Sequence, residues 1–592
     1  MRTVLKKSIA KGLLGSALLL AALPTLADEK QELLELKHTV VNLVDALVQQ
    51  GVLKPEMAAA LVKKAEDDAA AQAAQQVAAK PAEAADKGVA VAAAETAAAG
   101  AAVAGSKVVR VPYVPEFVKK EIREQVRAEL RQDVLADVSQ KAKQEHWGTP
   151  DALPAWVNSI KLSGDVRLRN QFDKYGKDNA DTLSAANLYL DIPRVNAAGG
   201  ISQAGARAFL NNSDDENRWR ERVRITLRAA IADHWNFETR LATGDLLSPI
   251  STNQSLGDYG RGFSIHFDRM ALLYDLPAAQ GWGWLNSNVD FAVGRMANPF
   301  LSPWASTELV WDEDLNLDGA ALTLRRAIGQ GDGITGLAPA GRSVFATAGL
   351  FPLQVVDFSS QDKWLAAGQL GAAWEFQNQN KLQLSGAFYR YIHITGKKNA
   401  LGTTLRDSTG PLFVQKGNLL YNIANDPNLN GGANDALFAL AADYHLLNLN
   451  LALDLANFAP YHVIFRGDIV KNMGYDREEV AERTGGVTYL YSNSERTLGW
   501  MFEIAAGWPQ VAKFRDWQVW ANYRYLQRDA TLDAFSDSDF NLGGTDSKGW
   551  VLGGKYGLAK NTWLELRYLS SEVIDGPPRG IDTVQVDLNA KF

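Results

Sequence analysis

The sequence predicts an all-β transmembrane barrel of about sixteen antiparallel strands, preceded by α-helical or coiled-coil segments and an Ala-rich linker. Three observations carry this. In the last eleven residues, Val584, Val586, Leu588, Ala590 and Phe592 share one face, and Thr583, Gln585, Asp587, Asn589 and Lys591 share the other. An oily face, a wet face and a terminal aromatic suit a strand between lipid and lumen, with Phe592 as the membrane-insertion terminus. Next, the connections between strand-like segments alternate between long and short, as in bacterial outer-membrane barrels. Finally, aromatics gather at segment ends: Trp219, Trp364, Trp500 and Trp550 at one end, Trp235, Trp374, Phe376, Trp508 and Trp517 at the other. Such girdles mark the two membrane interfaces.

Taken in order, residues 1–27 read as a signal peptide: four basic residues, the apolar run Leu13 to Leu23, then Thr25-Leu26-Ala27 before Asp28. The run is too short for a spanning helix, which needs about 20 apolar residues. Residues 28–68 place Leu33, Leu36, Val40, Leu43 and Leu47 at spacings of three and four, fitting either a short coiled coil or a helical hairpin. Residues 69–107 form an Ala-rich low-complexity linker with too little bulk for a core. In 108–147, Val118, Ile122, Val126, Leu130 and Val134 make a narrow stripe on an amphipathic helix, expected in the periplasm.

The barrel is expected over 158–592. Ile160, Leu162, Gly164, Val166 and Leu168 alternate with Lys161, Ser163, Asp165, Arg167 and Arg169. Fifteen further segments follow, from 217–230 and 234–243 through 548–558 and 562–571 to 581–592. Connections such as 170–216, 395–443 and 529–547 are long and polar, whereas 231–233, 378–380 and 559–561 are short.

Parity then predicts what faces the lumen. Trp219, Val223, Ile225 and Leu227 take the lipid side of their strand, so Arg218, Arg220, Arg222, Arg224 and Arg228 point inward, joined by Arg167 and Arg169 of the preceding strand. An arginine on the lipid side would cost about 2 to 4 kcal/mol at the midplane. This basic ladder either draws anions and orients dipolar solutes or pairs with Asp165 and loop carboxylates. A sixteen-stranded barrel is wide enough for an aqueous channel. The segment 297–316, with Asp312, Glu313 and Asp314, is expected to fold inward as a constriction and oppose the ladder.

Other chemistries find no support. There is no G-x-S-x-G, H-E-x-x-H or Walker-type glycine loop, and the seven histidines lack metal-ligand spacing, so an enzyme, a cofactor or a metal centre is not expected. The acidic stretch 533–546 reads as a solvated polar loop rather than a Ca²⁺ site. Zero cysteines exclude disulfides. Removing the four basic residues of the leader takes the net charge from −7 to −11, which argues against nucleic acid as a partner.

Four stretches carry a family resemblance: V-P-Y-V-P-E from Val111, W-V-N-S-I-K-L-S-G-D-V-R-L-R from Trp156, G-R-M from Gly294 with N-P-F from Asn298, and L-V-W-D-E-D-L-N from Leu309. From about Val108 to Phe592 the chain resembles the putative porin family of Gram-negative bacteria. That resemblance implies an outer-membrane pore behind a helical periplasmic segment. Expected partners are outer-membrane lipid, the barrel-assembly machinery through the C-terminal strand, the cell wall through the N-terminal helices, and two further copies in a homotrimer. The alternative reading is a structural tether from outer membrane to cell wall.

Overall fold

Alternating side chains allow a strand to bury its backbone in a ladder while showing lipid one face and the lumen the other. The computed structural model describes residues 159–592, apart from 185, 281–286, 303, 329–340, 377 and 426–435. The predicted leader, helices and linker lie outside the described residues. The barrel strands are β1 Ile160–Tyr175, β2 Glu216–Ala232, β3 Trp235–Thr243, β4 Ile265–Leu276, β5 Asn288–Ala297 and β6 Asn316–Ala327. They continue as β7 Gly341–Gln354, β8 Lys363–Glu375, β9 Lys381–Ile392, β10 His445–Phe458 and β11 Tyr461–Asn472. The last five are β12 Leu498–Gly507, β13 Trp517–Leu526, β14 Ser547–Ala559, β15 Thr562–Val573 and β16 Gly580–Lys591.

All sixteen are antiparallel neighbours in chain order, and β1 pairs with both β2 and β16, so the sheet closes and leaves no edge. Each strand matches its predicted span to within a few residues except β1, which runs to Tyr175 instead of stopping at 169. Asn170 and Lys174 break the apolar alternation on its outward face, yet β16 pairs with it as far as Tyr175↔Ile581. The seam is finished by the terminus: Phe592 and Gly164 exchange backbone hydrogen bonds of 3.1 and 3.0 Å. Gly164 has no side chain where the Phe592 ring lies, and a Cβ there would come within 2.5 Å of it.

The faces follow parity. Leu447, Leu449 and Leu451 of β10 are exposed on the outside, whereas Thr583, Gln585, Asp587 and Asn589 of β16 are buried on the inside. Trp219, Trp500 and Trp550 are exposed near the long-loop end, and Phe376 and Trp517 near the short-turn end.

The loops depart from expectation. Apart from the segment 297–316, which is expected to fold inward and brings Trp311, several loops fill the long-loop mouth of the barrel instead of lying in solvent and supply its apolar core: Val195 from one, Leu419 and Tyr421 from a second, Leu532 from a third. The loop 527–546, whose acidic stretch 533–546 is expected to be solvated, is almost wholly buried, with Asp533 at 1% exposure. Its apolar anchors, Leu532, Ala534, Phe535 and Phe540, follow no period and so leave no strand or helix signal. The Lys416 ammonium fastens it by donating to the carbonyls of Asn541, Leu542 and Gly543. Burial pushes the carboxyl groups of Asp533 and Asp546 up to about 7 and that of Asp529 up to about 6.

Candidate functional site

The seven ladder arginines all stand on the inward parity of β1 and β2, and the register sets Arg167 directly opposite Arg222 and Arg169 opposite Arg220. Like charges so placed repel. Carboxylates of β1 itself and of other elements relieve most of this. Arg222 reaches Asp165 at 3.2 Å and Asp314 at 3.1 Å, and Arg224 reaches the same two at 2.8 and 2.6 Å. Arg169 forms a two-pronged pair with Asp587 of β16 at 2.8 Å and reaches Asp539 at 2.9 Å. Arg218 pairs with Asp173, and Arg228 with Asp275. Arg167 donates to the neutral Asn253 at 2.6 Å, and neither it nor Arg220 meets a carboxylate among the described residues.

The segment 298–315 between β5 and β6 turns into the lumen. Its aromatics pack against the inner faces of β7 and β9, Phe300 on Phe351 and Tyr389, and Trp311 on Tyr389. Polar contacts fix the rest: Thr307 donates to Asp468 of β11 at 2.6 Å, and the Trp304 carbonyl accepts from Arg466 at 2.7 Å. The three predicted acids then part company. Asp314 meets the ladder; burial would raise its pKa, but Arg222 and Arg224 hold it below the usual carboxylate range. Asp312 is equally buried but accepts backbone N–H groups from Asp314 and Ser538, at 2.8 and 2.9 Å, and thereby ties the segment to the loop 527–546. Burial, with Asp314 and Asp537 nearby, raises its pKa. Glu313 is exposed to the lumen.

Between this segment and the strands on either side of the seam lies a cavity of about 590 Å³. Its basic lining extends well beyond the predicted ladder: Arg240 and Arg269 join it from β3 and β4, and Arg524, Lys555 and Arg567 from β13 to β15. Glu308 adds a fourth loop acid, its pKa raised by burial and by Asp537 and Glu313. Two indoles, Trp520 and Trp563, also face the cavity. Strand parity was the available signal for both, since Trp517 and Val519 point outward and Trp520 must then point in.

A closed sixteen-stranded barrel with an apolar exterior, an inward-folded loop and a charged interior cavity defines a pore-forming protein of the outer membrane. The chain belongs to the putative porin family, whose model matches residues 37–592. That match begins some seventy residues before the expected start at Val108 and takes in most of the segment 28–68. No protein of curated function matches the chain. Similar solved structures include OprB of Pseudomonas putida, 11% identical over 74% of this chain and 95% of its own, with TM-score 0.38. The channel DcaP of Acinetobacter baumannii is 12% identical over 73% of this chain and 97% of its own, with TM-score 0.36. OmpT of Vibrio cholerae in a trimer form is 9% identical over 73% and 100%, also with TM-score 0.36. These likenesses are too remote to bear on solute or assembly.

Proposed function

We propose that the protein is a passive diffusion pore for small hydrophilic solutes, in which the segment 298–315 forms the constriction and the arginines of β1 and β2 line it. The observation that carries this reading is the fourfold charge cluster of Arg222 and Arg224 with Asp165 and Asp314, which joins the loop to the barrel wall. The cluster pins the segment against the wall and so sets the width of the constriction, while Arg167 on the wall and Glu313 on the loop, both lining the cavity, present opposite charge that aligns dipolar solutes. The test is reconstitution in a planar bilayer with the reversal potential measured in a KCl gradient. Arg222→Ala/Arg224→Ala is expected to shift selectivity towards cations by leaving two carboxylates unmatched. Absence of any discrete conductance in the unaltered protein would refute the pore.

Three further assignments belong to this reading. The exposed ring of Phe592 at the seam suits recognition by the assembly machinery; its deletion is expected to slow insertion, measured by heat-modifiable migration. The heptad-like pattern of 28–68 supports a homotrimer, which a monomeric mass by light scattering in mild detergent would remove. The N-terminal stretch 28–146 also supports a tether to the cell wall, since a helix over 116–146 alone would reach about 45 Å. Loosened envelope attachment with unchanged conductance after deletion of 28–105 would favour the tether.

A further inference from the structure

Near the short-turn end of the lumen, the inner wall of β13 to β16 carries two ammonium–indole pairs. The Lys555 ammonium lies 5.2 Å from the centre of the Trp520 ring, and that of Lys591 lies 5.4 Å from the Trp563 ring. Register makes them neighbours: Trp520 stands opposite Gly553, Lys555 opposite Glu565, and Trp563 opposite Asn589, two residues before Lys591. Gly553 gives the Trp520 indole its seat, because a Cβ there would lie 2.1 Å from the ring.

These cations differ from the arginines of the ladder in what neutralises them. Glu565 is 3.7 Å from the Lys555 ammonium and also accepts from the Trp563 indole N–H at 3.4 Å, so its charge is shared. Lys591 meets no carboxylate among the described residues. An aromatic face attracts a cation through its quadrupole without cancelling the charge, so an ammonium held this way still takes an anion. An organic anion with a flat apolar body gains further by laying that body against the indole.

We propose that Trp520–Lys555 and Trp563–Lys591 form a binding site for small aromatic carboxylates within the pore. The carboxylate pairs with an ammonium and the ring packs on the adjoining indole. This rests on the reading of the protein as a pore. The experiment is single-channel recording of the purified full chain in the same bilayers, with sodium benzoate or sodium acetate added at equal ionic strength. Benzoate is expected to interrupt the current at lower concentration than acetate. Lys555→Gln/Lys591→Gln should raise the half-blocking benzoate concentration about fivefold, the scale of one partly exposed ion pair. Gly553→Ala, which displaces the Trp520 indole and keeps both lysines, should narrow the gap between benzoate and acetate. Equal action of the two anions on the unaltered channel, or an unchanged half-block in the lysine variant, would overturn the proposal while leaving the pore intact. A chain that forms no channel at all would overturn the pore reading and this site with it.

Discussion

The β1–β2 wall and the β13–β16 wall are both basic, but the arginines of the first and the lysines of the second hold their charge in different ways. On the first, most arginines are matched: Arg222 and Arg224 share Asp165 and Asp314, and Arg169 is held between Asp587 and Asp539. On the second, Asp537 and Asp539 match Arg524 and Arg567, whereas Lys555 and Lys591 rest on indoles, Lys555 with only a shared Glu565 and Lys591 with no carboxylate among the described residues. The number of arginines along a strand therefore overstates the field they present to a solute. A matched pair acts as a structural clamp, and an unmatched cation acts on whatever passes.

The sharpest way to break the contrast is to cut the clamp. Asp314→Ala leaves the buried guanidinium of Arg222 and the half-buried one of Arg224 short of a partner, which costs about 3 to 5 kcal/mol for a buried pair. The segment 298–315 should detach, with lower thermal stability and a larger single-channel conductance. Unchanged conductance would mean that the segment does not set the narrowest point. Beside the same wall, Gly164→Ala drives a methyl group into the Phe592 ring and the Arg224 carbonyl. A loss of about 1 to 3 kcal/mol is expected, as for overpacking elsewhere, and urea unfolding in detergent would measure it. No loss would show that the seam has slack.

A pH dependence separates both walls from the loop-filled mouth above them. Burial raises the carboxyl groups of Asp529, Asp533 and Asp546, to about 6, 7 and 7. Each therefore holds its proton more tightly folded than unfolded. Their contribution to loop packing is fullest in acid and declines as pH rises from the ordinary carboxylate range, about 3.9, through 6 to 7. Hydrogen exchange of the amides in 527–546, corrected for intrinsic rate, should be faster at pH 8 than at pH 5.5. Equal protection at both would remove this dependence. The smallest effect belongs to Lys548→Gln, which loses an exposed outward pair with Glu572 at 3.0 Å. About 0 to 1 kcal/mol is expected, and a changed reversal potential would show that the outward face also sets selectivity.

Alternation made the strands legible. A side chain on the wrong face of a membrane strand is heavily penalised, so β10 and β16 carry their orientation in their own residues. The same parity placed all seven arginines on one face and would have placed Trp520 there too, had tryptophans not been sought at strand ends. What it could not supply was partners. Asp587 lies 418 positions from Arg169 in the chain, and Asp539 370 positions away. Asp312 and Asp314 sit two residues apart in one motif, yet one ties loop to loop and the other ties loop to wall.

By itself, then, the sequence determined which residues form strands, how many strands there are and which side chains face in, because each follows from local period under a strong membrane constraint. Tertiary structure alone decided which charges are matched, and that loops other than the segment 297–316 also pack into the mouth instead of standing in water. Pairing depends on distances set by closure of the whole barrel. Loop burial depends on apolar residues with no period, which find one another only once the wall around them exists.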